Sequence, residues 1–196
     1  MVNCQSIKNK VPILQESIDY TKPDIIIGSE SWLSPDYKNS EIFPLDFQTN
    51  VFRKDRNQNG GGVFIAVHDK FRASEGTCSV NTSDCELVWA ELQTKTKSVM
   101  IGSYYRPPNA NINSLNNLND SIKNITNQNI NKPILIAGDF NLPHINWNNN
   151  TVVPSKPQAD QHFQLLNIIE EHSLEQLQLN RIQYLRPIPH QQFISH

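Results

Sequence analysis

Charge of one sign is what this 196-residue sequence lacks: 17 Lys and Arg stand against 19 Asp and Glu, for a formal net charge of −2 and a pI of about 6.3. No global basic signature draws the chain onto nucleic acid, so any such affinity has to come from local patches. Long apolar runs are missing too. None approaches the roughly 18 residues of a membrane span, and the N-terminus lacks a signal peptide's charged-then-apolar pattern. Both absences predict an intracellular protein with no membrane partner. Cysteine is scarce: Cys4, Cys78 and Cys85 make an odd set at no metal-ligand spacing, which favours reduced thiols over a disulfide. Hydrophobic content is a modest 37%. It suffices at this length for one domain with a real core. With no internal repeat and no linker, the expectation is a single-domain monomer.

Apolar spacing predicts the elements. Met1 to Ile7 reads as a short strand, and Val11, Leu14 and Ile18 mark an amphipathic helix over about 8–20. Lys22-Pro23-Asp24 ends it, and Ile25-Ile26-Ile27 is a buried strand. Residues 34–59 read as polar loop. Gly60-Gly61-Gly62 then opens a strand over Val63 to Val67, followed by strands over Leu87 to Leu92 and Val99 to Tyr105. Ser114 is expected to cap a helix carrying Leu115, Leu118, Ile122 and Ile125. A strand over Ile134 to Ala137 follows, then a helix marked by Phe163, Leu166 and Ile169 that ends near His172. Interspersed helices and strands predict an α+β sandwich with helices covering sheets.

Polar residues collect where these strands end. Ile134-Leu135-Ile136-Ala137 runs into Gly138-Asp139-Phe140-Asn141. Asp139 and Asn141 lie two residues apart and so project to one side. Asp139 suits acceptance of a proton from water and Asn141 donation to a phosphoryl oxygen. Equally, Asp and Asn favour turns through local backbone bonds. Glu30 either caps a loop or binds a hard cation such as Mg²⁺, which keeps most of its hydration shell. Tyr105-Arg106-Pro107-Pro108 either positions a phosphate or is a strand end stiffened by two prolines. Each bland reading stands alone; four such features at strand ends argue jointly for a site.

In this order Asn3, Glu30, Tyr105, Asp139 and Asn141 resemble the motifs of the endonuclease/exonuclease/phosphatase superfamily. The likeness is strongest to the endonuclease domain of non-LTR retrotransposons of the jockey or CR1 kind. It is carried by Asn3 to Lys10, Lys22-Pro23-Asp24-Ile25-Ile26, Glu30-Ser31-Trp32-Leu33, Gly60-Gly61-Gly62-Val63, Tyr105-Arg106-Pro107-Pro108 and Gly138-Asp139-Phe140-Asn141-Leu142-Pro143. The resemblance implies a four-layer α/β/β/α sandwich and Mg²⁺-dependent phosphodiester cleavage, with Mn²⁺ as an alternative ion. Glu30 would hold the metal and Asn3 orient the site. Tyr105 would contact the scissile phosphate, Asp139 align or deprotonate the attacking water, and Asn141 stabilise the phosphorane. Glu86 reads as supporting structure, and Gln5 stands where many relatives carry an acid. The implied partners are DNA and, originally, a reverse transcriptase in the same polyprotein; a working enzyme would act in the nucleus. Lys8, Lys10, Arg53, Lys54, Arg56 and Arg106 are candidate DNA contacts, with ordinary solvated surface as the plainer alternative.

Past Leu179 the resemblance fails. The Leu-Asp-Leu strand and the Ser-Asp-His motif that the family implies do not follow, and Ser195-His196 lacks the intervening Asp. The expected organisation is an incomplete domain over 1–179, missing its C-terminal strands, and a divergent, poorly ordered tail over 180–196. A shift of one nucleotide, with permitted codons, reads the tail from Arg181 as family-like sequence, which suggests a frameshift. Two further functions stay open: a catalytically dead remnant that at most binds nucleic acid, and a phosphodiesterase acting on a small molecule or lipid head group.

Overall fold

The structure, a computed structural model, describes residues 1–56, 60–77, 80–81, 84–128, 132–177 and 183–184. The first sheet holds five strands: β1 (Val2–Asn3), β2 (Ile25–Ser29), β3 (Val51–Lys54), β4 (Val63–Val67) and β12 (Gln183–Tyr184), in the order β12-β1-β2-β4-β3. The second runs β5 (Arg72–Glu75), β7 (Glu86–Gln93), β8 (Ser98–Tyr105), β9 (Ile134–Asp139), with β6 (Val80–Asn81) also on β7. A small hairpin pairs β10 (Ile145–Asn146) with β11 (Thr151–Val152).

Alternation along the strands makes the layers. On β4, Val63, Ile65 and Val67 face Val88, Ala90 and Ile101 of the second sheet, closing the central core. The intervening Phe64 and Ala66 point outward to Leu14 and Ile18 of α1 (Val11–Thr21). On β7 the opposite parity sends Leu87 and Trp89 to Leu115, Leu118 and Ile122 of α2 (Asn113–Gln128), and to Leu165 and Ile168 of α3 (Ala159–Glu171). Strands apolar on both faces are what a doubly covered sheet requires. Each fully buried Leu, Ile or Val contributes about 1.5–3 kcal/mol toward holding the layers. The result is the expected α+β four-layer arrangement: α1, first sheet, second sheet, α2 with α3.

Several local expectations change. The polar stretch after Ser34 contains β3 and two 3₁₀ turns, Asn39–Glu41 and Leu45–Phe47, anchored by the buried Ile42, Phe43 and Phe47. Ser114 does not cap α2. It lies inside the first turn, buried, with its hydroxyl 2.8 Å from the Tyr104 hydroxyl, while Asn111 Oδ1 accepts from the Asn113 N–H. Phe163 is 55% exposed, because the buried stripe of α3 runs through Leu165 and Ile168 instead. In the tail, Gln183 and Tyr184 pair in parallel with Val2 and Asn3, so these two residues join the first sheet rather than forming an appendage. The rest of residues 180–196, including Ser195-His196, and Cys78 lie outside the described residues. Cys4 and Cys85 are buried thiols, and burial pushes both up to about 12. No helix among the described residues is long and apolar enough to cross a membrane.

Candidate active site

Two rows of residues meet at one end of the sandwich. On the second sheet, Glu86 of β7 pairs with Tyr105 of β8, and Tyr105 with Asp139 of β9. On the first sheet, Asn3 of β1 pairs with Ser29 of β2, and Glu30 is the next residue beyond that strand. At this end Asn3 Nδ2 donates to Asp139 Oδ2 at 3.1 Å across the two sheets, and the Glu30 carboxylate faces the Tyr105 phenol closely enough for its charge to raise it. Asn3, Glu30, Tyr105 and Asp139, which the sequence reading grouped across 136 positions, are thus brought together, and Asn141 follows two residues on.

Both oxygens of Asp139 are held. Oδ2 accepts from Asn3, and Oδ1 accepts from the Asn141 N–H at 3.2 Å. Gly138 allows its strand to reach this position, since a Cβ there would overlap the carbonyl oxygen of Tyr104. Burial pushes the Asp139 carboxyl above its ordinary value; the bonds from Asn141 and Asn3 pull it down, and the charge of Glu30 pushes it up again. Burial, followed by the Glu30 charge, raises the Tyr105 phenol, so it stays a protonated donor at neutral pH.

On the opposite rim Glu30 has φ of 52°, a left-handed conformation that turns the chain sharply at the strand end. The glycine run supports it from the side. Ser31 N–H donates to Gly62 O at 3.2 Å and Trp32 N–H to Gly61 O at 2.9 Å. Gly61 and Gly62 have φ of 69° and 87°, and a Cβ would overlap Glu86 Oε1 at the first and Ser31 Oγ at the second. Glu86 is fully buried; it accepts from the Gly62 N–H and pairs with Arg56 at 3.2 Å. Its carboxyl is raised by burial, an effect that Gly62 and Arg56 oppose. Glu86 therefore supports the Glu30 rim.

Among the described residues no three His, Cys, Asp or Glu gather to hold a metal ion. A half-buried Glu30, with the Asp139 and Glu86 charges acting on the same space, suits an ion that needs one carboxylate and keeps its waters. The donor set fits Mg²⁺ better than an ion that demands a closed protein cage.

The candidate DNA contacts separate into two groups. Arg53 is turned inward, donating to Ser34 O at 3.2 Å and to Tyr37 O and pairing with Asp55. Arg106 is fully buried and bonds only to the protein interior. The Arg106 guanidinium is sealed from solvent and that of Arg53 is mostly engaged by backbone oxygens and Asp55, so each planar fork of donors ties loops together here. Arg56 is committed to Glu86 and to Gly60 O. Lys8 lies over the Tyr37 ring at 5.6 Å, Lys10 donates to Cys4 O and Gln5 O at 2.9 and 2.8 Å, and Lys54 stands 3.9 Å from Glu75. These three lysines stay partly exposed at the site end of the first sheet.

Residues 99–195 match the profile of the endonuclease-reverse transcriptase family. Among solved structures, the endonuclease domain of TRAS1, a telomere-specific non-LTR retrotransposon, matches with a TM-score of 0.60 at 18% identity, over 87% of this chain and 70% of that one. D. rerio TDP2 complexed with a single-strand DNA product gives 0.47 at 14% identity, over 76% of this chain and 60% of that one. The human Nocturnin catalytic domain with bound sulfate gives 0.48 at 16%, over 80% and 60%. No curated protein matches in sequence. The chain has the endonuclease/exonuclease/phosphatase fold, and its resemblance to retrotransposon endonucleases, drawn first from short motifs, is borne out by the family profile and by TRAS1.

Proposed function

We propose that this chain is a metal-dependent DNA-nicking phosphodiesterase domain of non-LTR retrotransposon origin, comprising residues 1–179 with a divergent tail. The observation that carries this reading is the in-register row Glu86–Tyr105–Asp139, bonded across the cleft to Asn3 at Asp139 and faced by the Glu30 charge. Mg²⁺ held by Glu30, with Mn²⁺ as an alternative, would supply charge stabilisation at the phosphate. The protein groups do the rest. Asp139, fixed at both oxygens, keeps lone pairs free to take a proton from water. Tyr105, held protonated, donates to a phosphoryl oxygen. Asn141 uses one amide hydrogen on Arg106 O, at 2.7 Å, and has a second to offer the phosphorane. Lys8, Lys10 and Lys54 are the cations left to meet the DNA backbone, in a nuclear setting and originally beside a reverse transcriptase.

Nicking of supercoiled plasmid in Mg²⁺ tests this. Asp139→Ala should slow nicking by about 10²–10⁴-fold, and Glu30→Gln should weaken Mg²⁺ binding, raising the concentration that nicking needs, while leaving the chain folded. Metal-independent nicking, or an active Asp139→Ala variant, would refute the assignment. A second reading is an inert domain that only binds nucleic acid. It predicts DNA binding with no nicking under any divalent ion.

A further inference from the structure

We infer that Arg106 is a positioning residue that sets the direction of the Asn141 amide from behind the cleft, in concert with Gln158 and Gln161 of the α3 start. The inference rests on the nuclease reading and adds to it two glutamines from a helix that carries no site motif. Arg106 is fully buried. Its Nη1 donates to Asn141 O at 3.3 Å and Pro107 O at 3.4 Å; its Nη2 donates to Ala110 O at 2.7 Å, to Gln158 Oε1 at 3.3 Å and to Gln161 Oε1. None of the described carboxylates lies within ion-pair distance of it, although the Asp160 charge acts on it from farther off. The guanidinium is held directly by neutral oxygens, and its fixed fork of donors ties their segments together.

What it organises is the chain from Asp139 to Asn141. Arg106 N–H donates to Asp139 O at 2.9 Å, Arg106 O accepts from Asn141 Nδ2 at 2.7 Å, and Arg106 Nη1 returns to Asn141 O. Asn141 is thus clasped at both its side chain and its carbonyl, in a left-handed conformation with φ of 50°. The clasp fixes which amide hydrogen is spent on the protein and which is left for a ligand. A lysine cannot replace it: one ammonium with three donors does not reach Asn141, Ala110 and both glutamines. Gln158 also donates to Pro108 O at 3.3 Å, so the helix start and the Pro107-Pro108 turn close around the guanidinium.

The test compares the full chain with Arg106→Lys and Gln161→Met, and carries Lys8→Ala as a DNA-contact control. Nuclear magnetic resonance reads the Asn141 side-chain amide, plasmid nicking gives kcat and KM, and affinity is measured with a labelled duplex in an Asp139→Ala background. Both variants should shift and broaden the Asn141 amide and lower kcat by about 10- to 100-fold, with KM and duplex affinity unchanged. An unmoved Asn141 amide in either folded variant, or weakened duplex binding with kcat intact, would overturn the inference. If Arg106→Lys does not fold, Gln161→Met decides, since it removes one acceptor at similar volume. If the wild-type chain does not nick, the amide readout still decides the clasp, and the nuclease reading alone has failed.

Discussion

The two rims of the cleft are built on different principles. The Asp139 rim is ordered by register: β8 and β9 run in parallel from Met100↔Ile134 to Tyr105↔Asp139, and the functional residues sit at the end of that ladder. The Glu30 rim is ordered by loops laid side by side. Cys4 N–H donates to Ser29 O at 2.9 Å, Ser6 to Glu30 O at 3.0 Å and Ile7 to Ser31 O at 3.0 Å, while the glycine run braces the other flank. Gln5, Ser6, Glu30 and Trp32 all adopt left-handed φ here, against Asn141 alone on residues 139–141 of the other rim. Such residues cost about 1–3 kcal/mol each and persist only where neighbours over-determine them. The lesson is that the candidate metal carboxylate rests on strain held laterally, whereas the candidate water-activating carboxylate rests on strand pairing.

Two glycines sharpen this contrast. Gly138→Ala should have the largest effect, because its Cβ would meet the Tyr104 backbone carbonyl, which cannot move without breaking the ladder. A loss of about 3 kcal/mol or more is expected by urea unfolding; an unchanged midpoint would show that rim not to depend on register. Gly62→Ala should cost less, about 1–3 kcal/mol, since the atom in its way is the Ser31 hydroxyl. Adding Ser31→Ala should recover part of that loss. Strict additivity of the two changes would break the claim that side-chain crowding, beyond φ, limits this position.

Asn3→Ala probes the bond between the rims. Asn3 lowers the Asp139 pKa, so its removal should raise it, and the carboxyl carbon resonance of Asp139 should titrate at higher pH. The sign for stability follows. Asp139 has a folded pKa above its unfolded one, so its contribution is fully present below about pH 3.9 and is lost as pH rises through the folded value. Asn3→Ala should therefore lose more stability at neutral pH than in acid; equal losses at both would place the bond outside this linkage. The smallest effect is expected for Lys8→Ala. Stability should change by less than about 0.5 kcal/mol, while the salt slope of DNA binding falls by about one. A slope that does not move would take Lys8 out of the DNA-facing set.

Much of this architecture is legible in the residues themselves. Val63 to Val67 reads as a strand because every residue is apolar, and in the structure it is the buried β4. Leu115, Leu118, Ile122 and Ile125 keep helical spacing and all reach the core. β3 is not legible because Val51 to Lys54 ends in two charges, and this half-buried strand is set by its pairing with β4 rather than by its own pattern. Phe163 misled because a large apolar residue at helical spacing dominates a pattern, although Leu165 and Ile168 set the buried face.

The sequence by itself determined the order of elements, the fold class and the motifs of the candidate site, because periodicity and strand-end polar residues are local properties of the chain. Tertiary structure alone decided which cations are available. Lys8 and Arg106 look alike as basic residues near motifs, yet one is partly exposed over the Tyr37 ring and the other is sealed among five neutral oxygens. A guanidinium's role depends on whether its donors are met by water, phosphate or backbone, and those partners come from residues up to 55 positions away. No local pattern encodes that distance; only the packing of α3 against the 139–141 segment does.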